Sequence, residues 1–292
     1  MKKIIGIPAY NEEKMIANVV KESLNFGDEV IVVDDGSDDN TKTEAKNAGA
    51  YVIRHEKNAG KGAAMKSLFN YAKEKDTDIL VIIDGDGQFL PKEIPNIILP
   101  IIENKADVVI GYRFDTETDM PQYRKIGNKF FDKVTNLASE LNLRDTQSGF
   151  RAYSKKAINS ITFHSNNYGA ESEILISAAK NNLRFAEEKV SVIYQTGGNT
   201  SKKHPVSHSS DVLTSLLELI AIKHPLKMLG IPGIILLIIG IVFSVIVISL
   251  FNDTRYFSIP STLLALGTLM TGLIFLLMSV VLFAIQRSFR RI

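Results

Sequence analysis

Ile79-Leu-Val-Ile-Ile-Asp-Gly-Asp-Gly-Gln-Phe89 carries five apolar residues straight into two carboxylates separated by one glycine. An unbroken apolar run of this length, closed by a turn signal, reads as a strand buried on both faces of a parallel sheet. Similar runs occur at Ile4–Ile7, Glu29–Val33, Tyr51–Ile53 and Val108–Ile110, with amphipathic segments between most of them. The alternation predicts an α/β fold: a mostly parallel, Rossmann-like sheet with crossover helices. The runs exit into Pro8-Ala-Tyr-Asn-Glu12, Asp34-Asp-Gly-Ser-Asp38, Arg54-His-Glu-Lys-Asn-Ala-Gly-Lys-Gly62, Asp84-Gly-Asp-Gly-Gln88 and Gly111-Tyr-Arg113. Strand ends of a parallel sheet share one edge, and ligands bind there, so these polar clusters are expected to meet.

Two carboxylates at one strand exit repel unless a cation lies between or beside them. Hard oxygen ligands suit Mg²⁺ or Mn²⁺, which take a few carboxylates and keep positions for water or phosphate. Asp84 and Asp86 are the candidate metal ligands, with Gln88 as a neutral oxygen. Gly85 and Gly87 are expected to let the backbone approach a bulky ligand. The plain alternative is a solvated Asp-Gly turn. A diphosphate accounts for the set better: metal offsets its charge, and Lys61 in Asn58-Ala-Gly-Lys-Gly62 adds a cation. That loop lacks the G-x-x-x-x-G-K-[ST] spacing of a P-loop. Asp35 and Tyr10-Asn11-Glu12 could accept hydrogen bonds from a base and ribose, while Ser37 or Asp38 is expected to cap the following helix.

Composition narrows the partners. The 292 residues include no cysteine, so no disulfide or zinc-thiolate site supports the fold, and a net charge of +2 gives no case for nucleic acid. The N-terminus lacks the apolar core of a secretory signal. Met228–Phe251 and Tyr256–Gln286 are free of charged residues, and each exceeds the roughly 20 residues that cross about 30 Å of hydrocarbon as a helix. The expected organisation is a cytoplasmic domain over 1–208, an interfacial amphipathic linker over 209–227, and spans over 228–251 and 257–286. A short external loop, 252–256, joins the spans, and a basic tail, 287–292, follows them. Lys223 and Lys227 before the first span, and Arg287, Arg290 and Arg291 after the second, place both ends on the cytoplasmic side. Gly267, Gly272 and Ser279 point to helix packing, with a homo-oligomer through the spans as one outcome.

Pro8-Ala-Tyr-Asn-Glu12, Val32-Val-Asp-Asp-Gly-Ser37, Asp84-Gly-Asp86 with Gln88, and Ser148-Gly-Phe-Arg151, in that order, resemble the signature of inverting family 2 glycosyltransferases. Within that family the chain is similar to the polyprenyl-phosphate branch that includes dolichyl-phosphate mannose and glucose synthases. The resemblance implies a type-A glycosyltransferase fold and a UDP- or GDP-linked sugar donor. It implies that Pro8, Ala9, Tyr10, Asn11, Glu12, Asp35, Asp84 and Gly85 hold the nucleotide, beside the Lys61 cation already argued from its loop. Asp84, Asp86 and Gln88 would take the metal, and Asp86, Arg113 and Arg124 would form the catalytic set. Arg113, Arg124, Lys125, Ser148, Arg151 and Lys202 would face the acceptor phosphate.

The residues give their own argument for a lipid acceptor. Ile126, Phe130, Val134, Leu137 and Leu141 share a helical stripe flanked by Arg124, Lys125, Lys129 and Lys133, and Val212, Leu213, Leu216, Leu217 and Ile220 share another. Such stripes can lie among headgroups or pack on the sheet. A phosphate monoester with a second pKa near about 6 is already largely dianionic at neutral pH, so no side chain has to remove a proton from it. The expected activity is transfer of a hexose-type sugar to polyprenyl phosphate, dolichyl or undecaprenyl. The alternatives are a membrane polysaccharide or glycolipid glycosyltransferase and a non-catalytic nucleotide-sugar scaffold. A processive synthase typically carries Q-x-x-R-W, and this chain has no tryptophan.

Overall fold

A computed structural model describes residues 1–113, 139–164, 169–193 and 226–289, together with residues 129, 132, 133, 135 and 136. The chain divides into two compact units, Met1–Leu216 and Leu217–Ile292. In the first, seven strands form one sheet: β1 (Lys3–Ala9), β2 (Glu29–Asp34), β3 (Tyr51–Arg54), β4 (Ile79–Ile82), β5 (Val108–Tyr112), β6 (Arg151–Ser154) and β7 (Phe185–Lys189). Their order is β3-β2-β1-β4-β6-β5-β7. β1, β2, β3 and β4 pair in parallel, as do β5 and β7, whereas β6 runs antiparallel to both β4 and β5.

Every residue of β4 is buried, as its unbroken apolar run requires of a strand covered on both sides. Alternate residues feed opposite faces. Ile5, Ile7, Val30, Val32 and Val81 join one core with Ile16, Val19 and Val20 of α1 (Ile16–Ser23) and Ile94, Ile97 and Ile98 of α4 (Ile94–Ile102). Ile4, Ile31, Val33, Leu80 and Ile82 join the other with Ala64, Met65 and Leu68 of α3 (Lys61–Glu74). The short α2 (Thr41–Asn47) and α5 (Lys155–Ser160), with α6 (Ala170–Lys180), complete the helices described in this unit.

Two strands have no counterpart in the sequence reading. β6 is Arg-Ala-Tyr-Ser, with its arginine 1% exposed. β7 is Phe-Ala-Glu-Glu-Lys at the sheet edge, where its charged side chains keep contact with water. Insertion of β6 between β4 and β5 places Arg151 opposite Ile82, so the Ser148–Arg151 segment lies beside the β4 exit.

The second unit is a pair of apolar helices, α7 (Ile231–Thr254) and α8 (Ile259–Phe289), preceded by a π-helical turn over Leu226–Gly230. Met228–Thr254 and Ile259–Ala284 contain 18-residue stretches of mean hydropathy 3.3 and 2.3 and are long enough to cross a membrane. Helix α7 runs three residues past the expected boundary and ends at Arg255, whose φ is +55°. The small residues pack the two helices within one chain. A Cβ on Gly272 would lie 2.8 Å from the Gly233 carbonyl oxygen, and one on Gly240 would lie 2.7 Å from Leu269 Cγ. Ser279 Oγ lies 3.0 Å from where Gly230 would carry its Cβ, while Gly267 has nothing within 4 Å and takes no part.

Candidate active site

The loops after β1 and β2 are stitched together. Asn11, at φ +56°, adopts the left-handed conformation that asparagine tolerates. Its N–H donates to Ser37 Oγ (2.9 Å), and its Oδ1 accepts from the Asp38 N–H (2.9 Å). The Glu12 N–H donates to Thr41 Oγ1 (2.8 Å), and Asp34 Oδ1 accepts from the Ser37 N–H (2.9 Å). Ser37 therefore serves the turn and the neighbouring loop. It does not cap α2, whose N-cap is Asn40.

Asp35 is 3% exposed and turned into the protein. One oxygen accepts from His55 Nδ1 (2.6 Å) and the Ala59 N–H (3.0 Å), the other from the Gly60 N–H (2.8 Å). His55 Nε2 lies 2.9 Å from Ser67 Oγ on α3. In this structure the Asp35 carboxylate fixes the loop that delivers Lys61 to the first position of α3, so it braces this edge of the sheet from beneath.

At the β4 exit, Lys61 Nζ bridges Asp84 Oδ1 (2.7 Å) and Glu171 Oε1 (3.1 Å). Asp86 Oδ1 accepts from the Gln88 N–H (3.0 Å). Burial, then the adjacent Asp84, raises the Asp86 carboxyl to about 6. Glu12 reaches the same acidic neighbourhood: burial first, then Asp86, Asp84 and Asp39, raise it to about 8, and its Oε2 is buried without a hydrogen-bond partner. Among the described residues no three acidic or histidine side chains form a ready metal cage. The glycines of this turn also serve the packing. Gly85 makes room for Ile16, Ala9 and Ile7, and Gly87, at φ +72°, for Met15. Both glycines thus pack against β1 and the start of α1.

The Ser148–Arg151 loop closes over Asp84. Arg151 donates from Nε to the Ser148 carbonyl (2.8 Å), from Nη1 to that of Glu171 (3.0 Å) and from Nη2 to that of Thr146 (2.7 Å). These three bonds satisfy a buried guanidinium and set the loop's path. Ser148 is also fully buried. Both side chains thus sit under the loop, against the expectation that they line the acceptor side. Gly149 lies hard against Asp84: a Cβ there would be 2.1 Å from Oδ2.

Arg113 emerges from β5 into a two-pronged pair with buried Asp145, Nε to Oδ2 at 2.6 Å and Nη2 to Oδ1 at 2.8 Å. Asp132 accepts from the Thr146 N–H and Oγ1, both at 2.8 Å, and burial raises its carboxyl to about 6. Thr135 Oγ1 meets Ser172 Oγ at 3.0 Å. These residues of the first amphipathic stretch face the domain. Arg124, Lys125 and Lys202 lie outside the described residues, as do the linker up to residue 225 and the charges Lys223, Arg290 and Arg291; the side chains of Lys227 and Arg287 are likewise not described. Glu171 and Asp145 were not legible as site residues: an acid in a helix's first turn and an Asp in a loop each have ordinary local readings, and Gly149 was legible only as part of the Ser148–Arg151 motif.

Residues 4–162, which carry the acidic pair and Lys61, match one family model, "Glycosyl transferase family 2". The chain belongs to that family. Of its family-2 relatives, the Methanococcus voltae UDP-N-acetylglucosamine–dolichyl-phosphate N-acetylglucosaminyltransferase is 38% identical over 211 residues, covering 64% of this chain and 84% of the relative. The Haloferax volcanii dolichyl-phosphate hexose transferase is 28% identical over 212 residues, covering 72% and 90%. Among solved structures, glucosyl-3-phosphoglycerate synthase from Mycobacterium tuberculosis, in complex with Mn²⁺ and UDP-glucose, superposes with a TM-score of 0.60 at 24% identity. It covers 75% of this chain and 78% of its own. That likeness is one of fold, and the fold is the type-A glycosyltransferase sheet.

Proposed function

We propose that this glycosyltransferase moves a sugar from a nucleoside-diphosphate donor to the phosphate of a polyprenyl lipid. The observation that carries the reading is that Glu12 from the β1 exit comes beside Asp84 and Asp86 at the neighbouring β4 exit, where burial and mutual repulsion raise two of the three carboxyls. Carboxylates held that way gain when a divalent cation and its phosphate arrive. Relatives named for dolichyl phosphate, at 38% and 28% identity, support the acceptor class. The 38% relative, named for UDP-N-acetylglucosamine, supports a uridine donor.

The donor set fits Mn²⁺ or Mg²⁺: Asp84 and Asp86 offer oxygens, with Gln88 beside them. When bound, the cation neutralises charge that develops on the departing diphosphate. The chain supplies the rest. Lys61 stands within reach of the same phosphates. Asp35 and the Pro8–Glu12 segment set the edge against which the nucleoside lies. Arg113, oriented by Asp145, presents a planar cation to the acceptor phosphate, with Arg124, Lys125 and Lys202 assigned to the same anion. The acceptor needs no general base, so positioning and charge stabilisation provide the rate. One in-line displacement inverts the anomeric centre. The two C-terminal helices anchor the enzyme, and flanking charge places its catalytic domain and both ends on the cytoplasmic side.

Purified protein incubated with a panel of radiolabelled UDP- and GDP-sugars, polyprenyl phosphate and Mn²⁺ or Mg²⁺ tests the reading. Metal-dependent label in the organic phase supports it. Labelled polymer would indicate a polysaccharide synthase, and donor binding without transfer a scaffold; either would overturn it.

A further inference from the structure

The Lys61 ammonium occupies the Oδ1 side of Asp84. Asp84 Oδ2 is pressed against Gly149, within 2.1 Å of where a Cβ would stand, and Oδ1 is held by Lys61 at 2.7 Å. A divalent ion that comes to Asp84 Oδ1 meets an oxygen that already has a cation on it. Lys61 cannot drift away, because it begins α3 and the residue before it is tied to Asp35 through the Gly60 N–H. Its other carboxylate, Glu171, has a side chain 5% exposed, and Glu171 Oε2 is buried with no hydrogen-bond partner. Glu171 is thus a fixed anionic seat that keeps the ammonium in the site when Asp84 is taken from it.

We propose that Lys61 is a tethered competitor of the metal, seated on Asp84 and Glu171 and released from Asp84 only when cation and donor diphosphate arrive together. A divalent ion alone would displace one positive charge and then stand beside it. A divalent ion with a diphosphate supplies the anion that Lys61 turns to, with Glu171 as its pivot. Metal and nucleotide therefore bind with strong mutual enhancement, reciprocal by linkage. The site avoids loading metal without substrate. The inference rests on Asp84 being a donor-side metal ligand, and it makes Glu171 a positioning residue for the family-2 reaction.

Mn²⁺ binding to the full-length, detergent-solubilised protein, read by electron paramagnetic resonance with and without UDP, tests this. In the wild type, UDP should tighten Mn²⁺ binding by about tenfold or more, within the usual range of coupling between sites. Lys61→Met should tighten Mn²⁺ alone by at least about threefold and shrink the UDP enhancement toward one. Glu171→Gln should shift bare Mn²⁺ the other way, because the ammonium loses the Glu171 carboxylate and leans more on Asp84. Both shifts should persist at high ionic strength, since contacts at this range are poorly screened. A Lys61→Met protein with unchanged thermal midpoint and undiminished UDP enhancement overturns the inference and leaves the proposed function standing. A wild type that takes up no Mn²⁺ even with UDP overturns both.

Discussion

Gly149→Ala is the smallest change that tests the geometry around the acidic pair. The added methyl carbon would lie 2.1 Å from Asp84 Oδ2, 2.6 Å from Cγ and 2.7 Å from Oδ1. A carbon against a carboxylate oxygen settles at roughly 3.2 Å or more, so the carboxylate has to retreat by about 1 Å. The backbone meets no such obstacle, because Gly149 is not among the glycines at positive φ. The burden falls on the Asp84 side chain, which can rotate at modest stability cost, about 1–2 kcal/mol. Rotation breaks the 2.7 Å contact with Lys61 and misplaces the oxygens proposed to hold metal and diphosphate. A misplacement of about 1 Å at a reacting centre costs on the order of 10²-fold in rate. The expected result is a folded protein, shown by a near-normal thermal midpoint, with transfer to polyprenyl phosphate down about a hundredfold and donor KM raised. A Gly149→Ala enzyme with full activity and unchanged donor KM would refute the placement of Asp84 in the site.

Other perturbations separate support from chemistry. Asp145→Asn leaves Arg113 one charged anchor short, and should raise the lipid-acceptor KM by about tenfold with donor KM unchanged; equal changes in both would remove Asp145 from the acceptor side. Removing His55 as His55→Ala strips a partner from buried Asp35 and should cost on the order of 1–3 kcal/mol, seen as a lower thermal midpoint; an unchanged midpoint would contradict the brace. Asp132 gives a pH dependence with a definite sign. Its folded carboxyl stands at about 6 against an ordinary 3.8, so the folded state binds the proton more tightly and stability falls as pH rises from about 4 to 6, by up to about 3 kcal/mol. Asp132→Asn, which keeps an oxygen for Thr146, should be more stable than wild type above that window and equal below it. Calorimetry near pH 4 and pH 8 compares them; equal differences at both would exclude the burial penalty.

The sequence announces what local pattern can carry. β1 to β5 stand out because each is an apolar run ending in a polar cluster, and the acidic pair stands out because nothing local neutralises it. β6 escapes because its first residue is an arginine, made tolerable only by three carbonyls brought from Thr146, Ser148 and Glu171. β7 escapes because an edge strand can keep Glu187 and Glu188 partly wet. Within the site, Lys61 and the Asp84–Asp86 pair are legible by residue type. Asp35 is legible as important, yet its direction, inward to His55 and the Gly60 N–H, is a tertiary fact. Glu171 and Asp145 acquire their meaning only from what the fold sets opposite them, Lys61 and Arg113.

Asp86→Asn keeps the shape and the hydrogen-bond acceptor toward Gln88 while removing the charge at issue. The decisive measurement is label passing from a radiolabelled UDP-sugar to polyprenyl phosphate in Mn²⁺, wild type beside Asp86→Asn, at matched thermal midpoints. The account predicts organic-phase product from the wild type and a loss of about a thousandfold or more in the variant, the scale of removing a main electrostatic contact in the transition state. Near-equal product from both proteins would contradict it.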